Sequence, residues 1–275
     1  MLRSILLVLD DTPGALAARD QAIALARLCG GSVTGAAFLD IAHLADPDEA
    51  VPMGAAAFKE HRDAQRVAEA RAAAEAQLAM FRTAAPGWPA ASHDDAPEPG
   101  LKRLAAAHDL IAIGRDSTLG IEDTEDGLAP VIERLARDNP RPLLVVPPQA
   151  GAIDGPMLVA YDGSSPCQRS LQMFVQLGLT GTRGIRVVSV ADTAQEARDL
   201  ARGAQDYLAL HGIAAEADGL SGSHPADLVL GHAAALHAGL LVIGAFETPR
   251  LRTRLFGSAT LRILRESACA VFVHH

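Results

Sequence analysis

SILLVLDDTP at residues 4–13 and MLVAYDGSSP at residues 157–166 decide the fold, because each is an aliphatic run that ends near an acid, turns, and enters Ser/Thr-Pro. The pattern is a strand, a tight turn and the start of a helix. Thr12 or Ser165 can cap that helix, with Pro13 or Pro166 in a first turn where proline's missing N–H costs nothing.

Outward from these stretches the same order of elements recurs, and self-similarity of this kind defines an architecture before any motif is trusted. Leu16, Ile23, Leu25 and Leu28 form an apolar helical face that stops at Gly30-Gly31; Leu171, Phe174, Val175 and Leu177 precede Gly178. Strands are expected at 33–39 and 185–190. Ala-rich helical patterns follow near 58–84, with Val67, Ala70, Ala74, Leu78 and Phe81 on one face, and near 194–211. Each half then has a weaker strand, 90–93 or 213–217, a short helix, and an aliphatic strand ending in Gly: DLIAIG at 109–114 and GLLVIG at 239–244. A last helix and strand close each half, PLLVVP at 142–147 and AVFVHH at 270–275.

Strands that read as continuous aliphatic runs between helices indicate a parallel sheet covered on both faces. The 275 residues therefore read as two tandem doubly wound α/β domains, Rossmann-like, at 1–150 and 151–275, joined through PPQAGAIDGP at 147–156. From Asp10 to Gly114 is 104 positions and from Asp162 to Gly244 is 82, so the first half carries 22 more. Most fit DIAHLADPDEAVPMGAAA, 40–57, which has no clear period and reads as a solvated excursion.

Composition removes several classes. A net charge of −9 repels a phosphate backbone, and ten aromatic residues leave few stacking platforms, so nucleic-acid binding is disfavoured. Aliphatic runs such as 5–9 and 143–146 fall far short of the roughly 20 residues of a membrane helix. No secretory signal is visible, so the cytoplasm is the expected location. Cys29, Cys167 and Cys269 form no CxxC, and His224, His232 and His237 lack the i, i+4 spacing of a helical metal site; no metal ligation is expected. GxSxG and GxxxxGK[ST] are absent, so no catalytic residue is assigned. His274 and His275 are given no role.

Ligands of open parallel sheets sit at the carboxyl ends of the strands, against helix N-termini. Asp162 and the turn after Gly244 occupy such ends. Gly244 is followed by Glu247 and then by Gly257-Ser258 at the start of the last helix, a loop whose amides and Ser258 hydroxyl can face phosphate oxygens. The stretch between Gly244 and Gly257 sums to +2 through Arg250, Arg252 and Arg254, which favours an anion. Local turn chemistry also explains Asp-Gly-Ser at 162–164, and an ordinary helix cap also explains Gly257-Ser258.

The repeat and this spacing together resemble the universal stress protein family in its tandem form, whose final strand-loop-helix carries GxxG, nine residues, then G[ST]. The second half reads GAFE, TPRLRTRLF, GS, with Glu247 in place of the second Gly; the first reads GRDS, TLGIEDTED, GL, with Ser117 and Leu128 at the altered positions. The interval 115–126 sums to −4, so the first half reads as a degenerate, structural copy.

The resemblance implies ATP or a related adenine nucleotide, with or without Mg, in the second half only. Asp162 would face the nucleoside, Ala160 and Val190 the base, and Gly244, Gly257, Ser258 and Ala259 the phosphates. It implies a stress-response sensor or regulator rather than an enzyme, with protein partners unidentified. It also implies an internal pseudo-dimer joined through the last strands; whether that unit dimerises again stays open. The alternative is an interaction scaffold with both sites degenerate, which Glu247, Ser117 and Leu128 favour. An adenylate-forming enzyme is a weaker third reading, since neither a substrate pocket nor a second set of phosphate ligands can be identified.

Overall fold

The structure, a computed structural model, describes residues 1–46, 48–119, 126–181, 183–245 and 256–275, with side chains from residue 259 onward in the last segment. The first half runs β1 (Ser4–Val8), α1 (Pro13–Cys29), β2 (Ser32–Phe38), α2 (Ile41–Leu44), α3 (Ala56–Ala84), β3 (Ala90–His93), α4 (Pro97–Ala105), β4 (Leu110–Gly114), α5 (Pro130–Asp138) and β5 (Leu143–Val146). The second runs β6 (Met157–Ala160), α6 (Ser165–Gln176), β7 (Ile185–Ala191), α7 (Ala194–Leu210), β8 (Ala215–Ser221), α8 (Pro225–Ala235), β9 (Leu240–Gly244), α9 (Phe256–Glu266) and β10 (Ala270–His274).

All ten strands join one sheet in the order β3-β2-β1-β4-β5-β10-β9-β6-β7-β8. Every pairing is parallel except the central one, where β5 meets β10 antiparallel with Leu144 opposite Phe272. The order on one side of that seam repeats on the other, the pseudo-twofold arrangement of an α/β tandem repeat. Because β5 and β10 oppose each other, the carboxyl ends of the two sets of strands point to opposite edges of the sheet.

Alternation along the strands feeds two apolar layers, one on each face. Leu7, Leu144, Val242 and Phe272 pack against α1 and α6, and the Phe174 and Phe272 rings meet edge-on at 5.8 Å. Leu6, Val145, Val271 and Leu241 pack on the other face with α5, α8 and α9. Both layers cross the seam, so the halves share one continuous core. Among the described residues no helix is long and apolar enough to cross a membrane.

Two expectations need correction. The cap of α6 is Ser164, not Ser165: its hydroxyl accepts from the Cys167 amide at 3.4 Å and Ser165 is already helical, whereas Thr12 caps α1 as expected, accepting from Ala15 at 3.2 Å. The turn at 161–163, with Gly163 at φ +75°, brings the chain into the helix one residue early. Strand β8 is at 215–221 rather than 213–217, because it pairs with the whole of β7 from Ile185 to Ala191, and AEADGLS has no aliphatic run to mark it. The 40–57 excursion begins with the one-turn α2, capped by Asp40, and is tied to α3 through Glu49 on Arg62 and the Asp46 carbonyl, which accepts from the Lys59 ammonium at 2.5 Å.

Two contacts at the seam join opposite ends of the halves. The Arg115 guanidinium, just beyond β4, donates to the Ser267 carbonyl below α9 at 2.8 Å, and Arg265 of α9 pairs with Asp126 at 3.2 Å.

Candidate functional site

At the carboxyl ends of β6, β7 and β9 lies a cavity of about 360 Å³, bounded further by α8 and α9. Its floor is Ala160, Val188, Val190 and Ile243; Ala226 and Val229 of α8 make an apolar wall. Asp162, Asp192, Ser223 and Thr260 supply polar atoms. A slot with apolar sides and a few acceptors at its mouth suits a flat heterocycle bearing hydroxyl donors.

Ala160, Asp162, Val190, Gly244 and Ala259 all border this one cavity. Gly257 and Ser258 fall in the first turn of α9, with their side chains outside the described residues. Glu247, Arg250, Arg252 and Arg254 also lie outside them. Asp192, Ser223 and Thr260 border the cavity without having been singled out. Asp192 follows β7 as Asp162 follows β6, and that recurrence of an acid after a strand was the available signal.

Asp162 uses Oδ1 to accept from the Ser164 amide at 2.9 Å, the local turn bond that Asp-Gly-Ser favours. Beside it, burial pushes the Cys167 thiol up to about 12 and the Asp162 charge adds to the effect, so this sulfur stays protonated and is no nucleophile. Gly244 has a packing role first. A Cβ there would sit 2.5 Å from the Cys167 nitrogen, and one on Gly114 would sit 2.3 Å from the Ala15 nitrogen. Both strand-end glycines let a helix N-terminus close on the sheet, with or without a ligand.

The first half is built differently at the matching positions. Counting from Asp10 and Asp162 along the paired registers, Val8 corresponds to Ala160 and Phe38 to Val190. Phe38 is 5% exposed, its ring centroid 5.6 Å from that of His93, and it packs in one cluster with Val8, Leu119 and Leu128. Buried Phe38 and Val8 thus stand where the second half has Val190 and Ala160.

Carboxylates also take the amides that an anion would want. Asp10 Oδ2 accepts from the Thr118 and Leu119 amides at 2.7 and 2.9 Å, and Oδ1 from Asp11 at 2.9 Å. Burial raises the Asp10 pKa while those amides oppose the shift. Asp116 accepts from the Thr12 hydroxyl at 3.0 Å and the Gly14 amide at 3.2 Å, at the N-terminus of α1. A hollow of about 530 Å³ does open beside Asp10, between α3 and the carboxyl ends of β1 and β2, bordered by Phe38 and Leu119 and with Asp10, Asp11 and Asp40 on its walls. Three acids there disfavour a phosphate.

The family model described as the universal stress protein family matches residues 1–147 and again 155–275. A universal stress protein of Synechocystis, Slr1230, is 30% identical over 173 residues, 62% of this chain and 59% of that relative's length. The crystal structure of a universal stress protein from Archaeoglobus fulgidus superposes with a TM-score of 0.70 at 16% identity, covering 98% of this chain and 97% of that one. A universal stress protein family structure from Arabidopsis thaliana, with AMP bound, aligns with 44% of this chain and 90% of its own at 18% identity and a TM-score of 0.34.

Proposed function

The chain belongs to the universal stress protein family, matched once in each half, and on that premise we propose that its second half binds ATP or a closely related adenine nucleotide while its first half binds none. The observation that carries this reading is the contrast at one position pair. Val190 and Ala160 border a slot of about 360 Å³ beneath α8 and α9, whereas Phe38 and Val8 are buried in the apolar layer and the hollow of about 530 Å³ that Phe38 borders carries Asp10, Asp11 and Asp40 on its walls. A volume in the range of about 300–1,000 Å³ is that of ordinary small-molecule sites.

In this reading the base lies on Ala160 and Val190, and the ribose hydroxyls donate to Asp162 and Asp192, which as carboxylates only accept. The same two charges repel phosphates, so the phosphate tail runs away from them to the N-terminus of α9, where Gly257, Ser258 and Ala259 begin the helix and the +2 stretch precedes it. No group is assigned a catalytic step. The protein is then a cytoplasmic sensor whose nucleotide state, rather than turnover, is the signal. The scaffold reading, in which no nucleotide binds, draws its support from Asp162 and Asp192 in the lining.

Calorimetry on protein stripped of nucleotide tests the reading. Saturable ATP binding is expected, weakened about a hundredfold by Val190→Phe, which places the first half's residue in the second half's slot and trades about 3 kcal/mol of contact. Phe38→Val is expected to leave binding unchanged. Absence of saturable binding, or equal affinity in Val190→Phe, would leave the scaffold in its place.

A further inference from the structure

The hollow of about 530 Å³ beside Asp10 has no part in the nucleotide reading, since it shares no residue with the slot of the second half. Its volume lies within the range of about 300–1,000 Å³ of ordinary small-molecule sites. Leu9, Leu39 and Leu44, with Ala70, Ala73 and Ala74 of α3, give it apolar sides. Three carboxylates stand among them, Asp10 and Asp11 after β1 and Asp40 after β2. No Lys, Arg or His borders it among the described residues.

Negative charge is thus gathered around apolar walls without a counter-charge. The Thr118 and Leu119 amides hold Asp10 at 2.7 and 2.9 Å, and the His43 amide holds Asp40 Oδ1 at 3.0 Å, so both carboxylates are fixed in place. Burial raises the Asp10 pKa, and the Asp11 charge adds to it. Asp11 is exposed, and no described residue pairs with its carboxylate. The hollow therefore favours a cation, and two features decide its kind. Among the described residues no three His, Cys, Asp or Glu side chains come together as a metal site, so the three carboxylates are spread around the hollow rather than aimed at one point. The walls between them are alkyl. Separate positive charges joined by methylene spacers match that arrangement, and a small ion does not.

We propose that this hollow binds an aliphatic polyamine, its ammonium groups on Asp10, Asp11 and Asp40 and its methylenes along Leu44, Ala70 and Ala74. Each ammonium donates to a carboxylate oxygen in a charge-assisted bond, and the spacers cover apolar wall that water otherwise touches.

Calorimetry on the full chain, stripped of nucleotide and held at fixed ionic strength, is run with spermidine, and with n-butylamine and Mg²⁺ as comparators. One saturable spermidine site is expected, with the monoamine and the metal ion each bound about tenfold less tightly or worse. Asp11→Asn and Asp40→Asn are each expected to weaken spermidine about tenfold, the scale of a lost charge-assisted bond, and asparagine at position 40 still caps α2. Ala73→Lys, which sets an ammonium of the protein's own on the exposed side of α3 at the hollow's wall, is expected to abolish binding. Asp206→Asn, an exposed acid of α7 in the second half, is expected to change nothing. Thermal unfolding of each variant confirms that it is folded. No saturation, equal binding of Mg²⁺ or butylamine, or unchanged affinity in Asp11→Asn and Asp40→Asn overturns the proposal. A loss in Asp206→Asn as large as theirs assigns the heat to diffuse attraction by the net charge and overturns it as well.

Discussion

The two halves put the same elements in the same order and finish them in opposite ways. At the carboxyl edge of its strands the second half keeps small residues, Ala160 and Val190, around an apolar-sided hollow; the first half has Val8 and Phe38 there, and its own hollow is walled by three acids. The first half also satisfies its own loop amides with Asp10 and the start of α1 with Asp116. A duplicated fold can therefore use the same positions as internal contacts in one copy and leave them facing a hollow in the other, without losing the scaffold.

The largest expected effect concerns what the halves still share. Gly114→Ala and Gly244→Ala each force a Cβ against helix backbone, at 2.3 and 2.5 Å, and each is expected to cost about 3 kcal/mol in urea unfolding. If Gly244→Ala instead kept full stability and lost only ATP binding, the parallel between the two glycines would be broken.

A smaller effect separates them. Asp116→Ala removes two acceptor contacts at the N-terminus of α1 and is expected to lower stability by about 2 kcal/mol without creating nucleotide binding in the first half. The matching position in the second half is Phe246, which has no carboxylate to lose. A gain of a second ATP equivalent in Asp116→Ala would show that this carboxylate alone closes the first site.

The effect confined to acid conditions is one of pH. His274, at the end of β10, occupies the place of Val146 in β5; burial, with the charges of Arg169, His275 and Arg141, lowers its pKa from 6.5 to about 4. A histidine kept neutral in the fold takes up its proton more readily when unfolded, so its contribution is present above pH 6.5 and lost as pH falls toward 4. His274→Val is expected to flatten that part of the stability profile. An unchanged acid limb would mean that the two last strands are equivalent in this respect.

Much of the fold was legible because buried parallel strands must be aliphatic: ILLV, LIAI, LLVV and LLVI announce β1, β4, β5 and β9 without help from tertiary contacts. β8 was misplaced because an edge strand buries little and AEADGLS carries no such signal. At the site, the strand-end rule led to Asp162 and Gly244 but missed Asp192 and Thr260, which reach the cavity from elements whose approach angle is set by packing. The first half was harder. Its charge sum pointed to repulsion, whereas its strand ends are organised by Asp10 meeting Thr118, 108 residues away, and by Phe38 meeting His93, pairings that only the folded chain creates.

The antiparallel seam gives α9 two masters. One end of this helix opens toward the second half's slot, while Arg115 and Asp126 of its sister repeat grip the foot at Ser267 and Arg265. The placement of α9 over that slot is therefore set in part by residues of the other half, and a change at Arg115 or Asp126 reaches the slot through this helix.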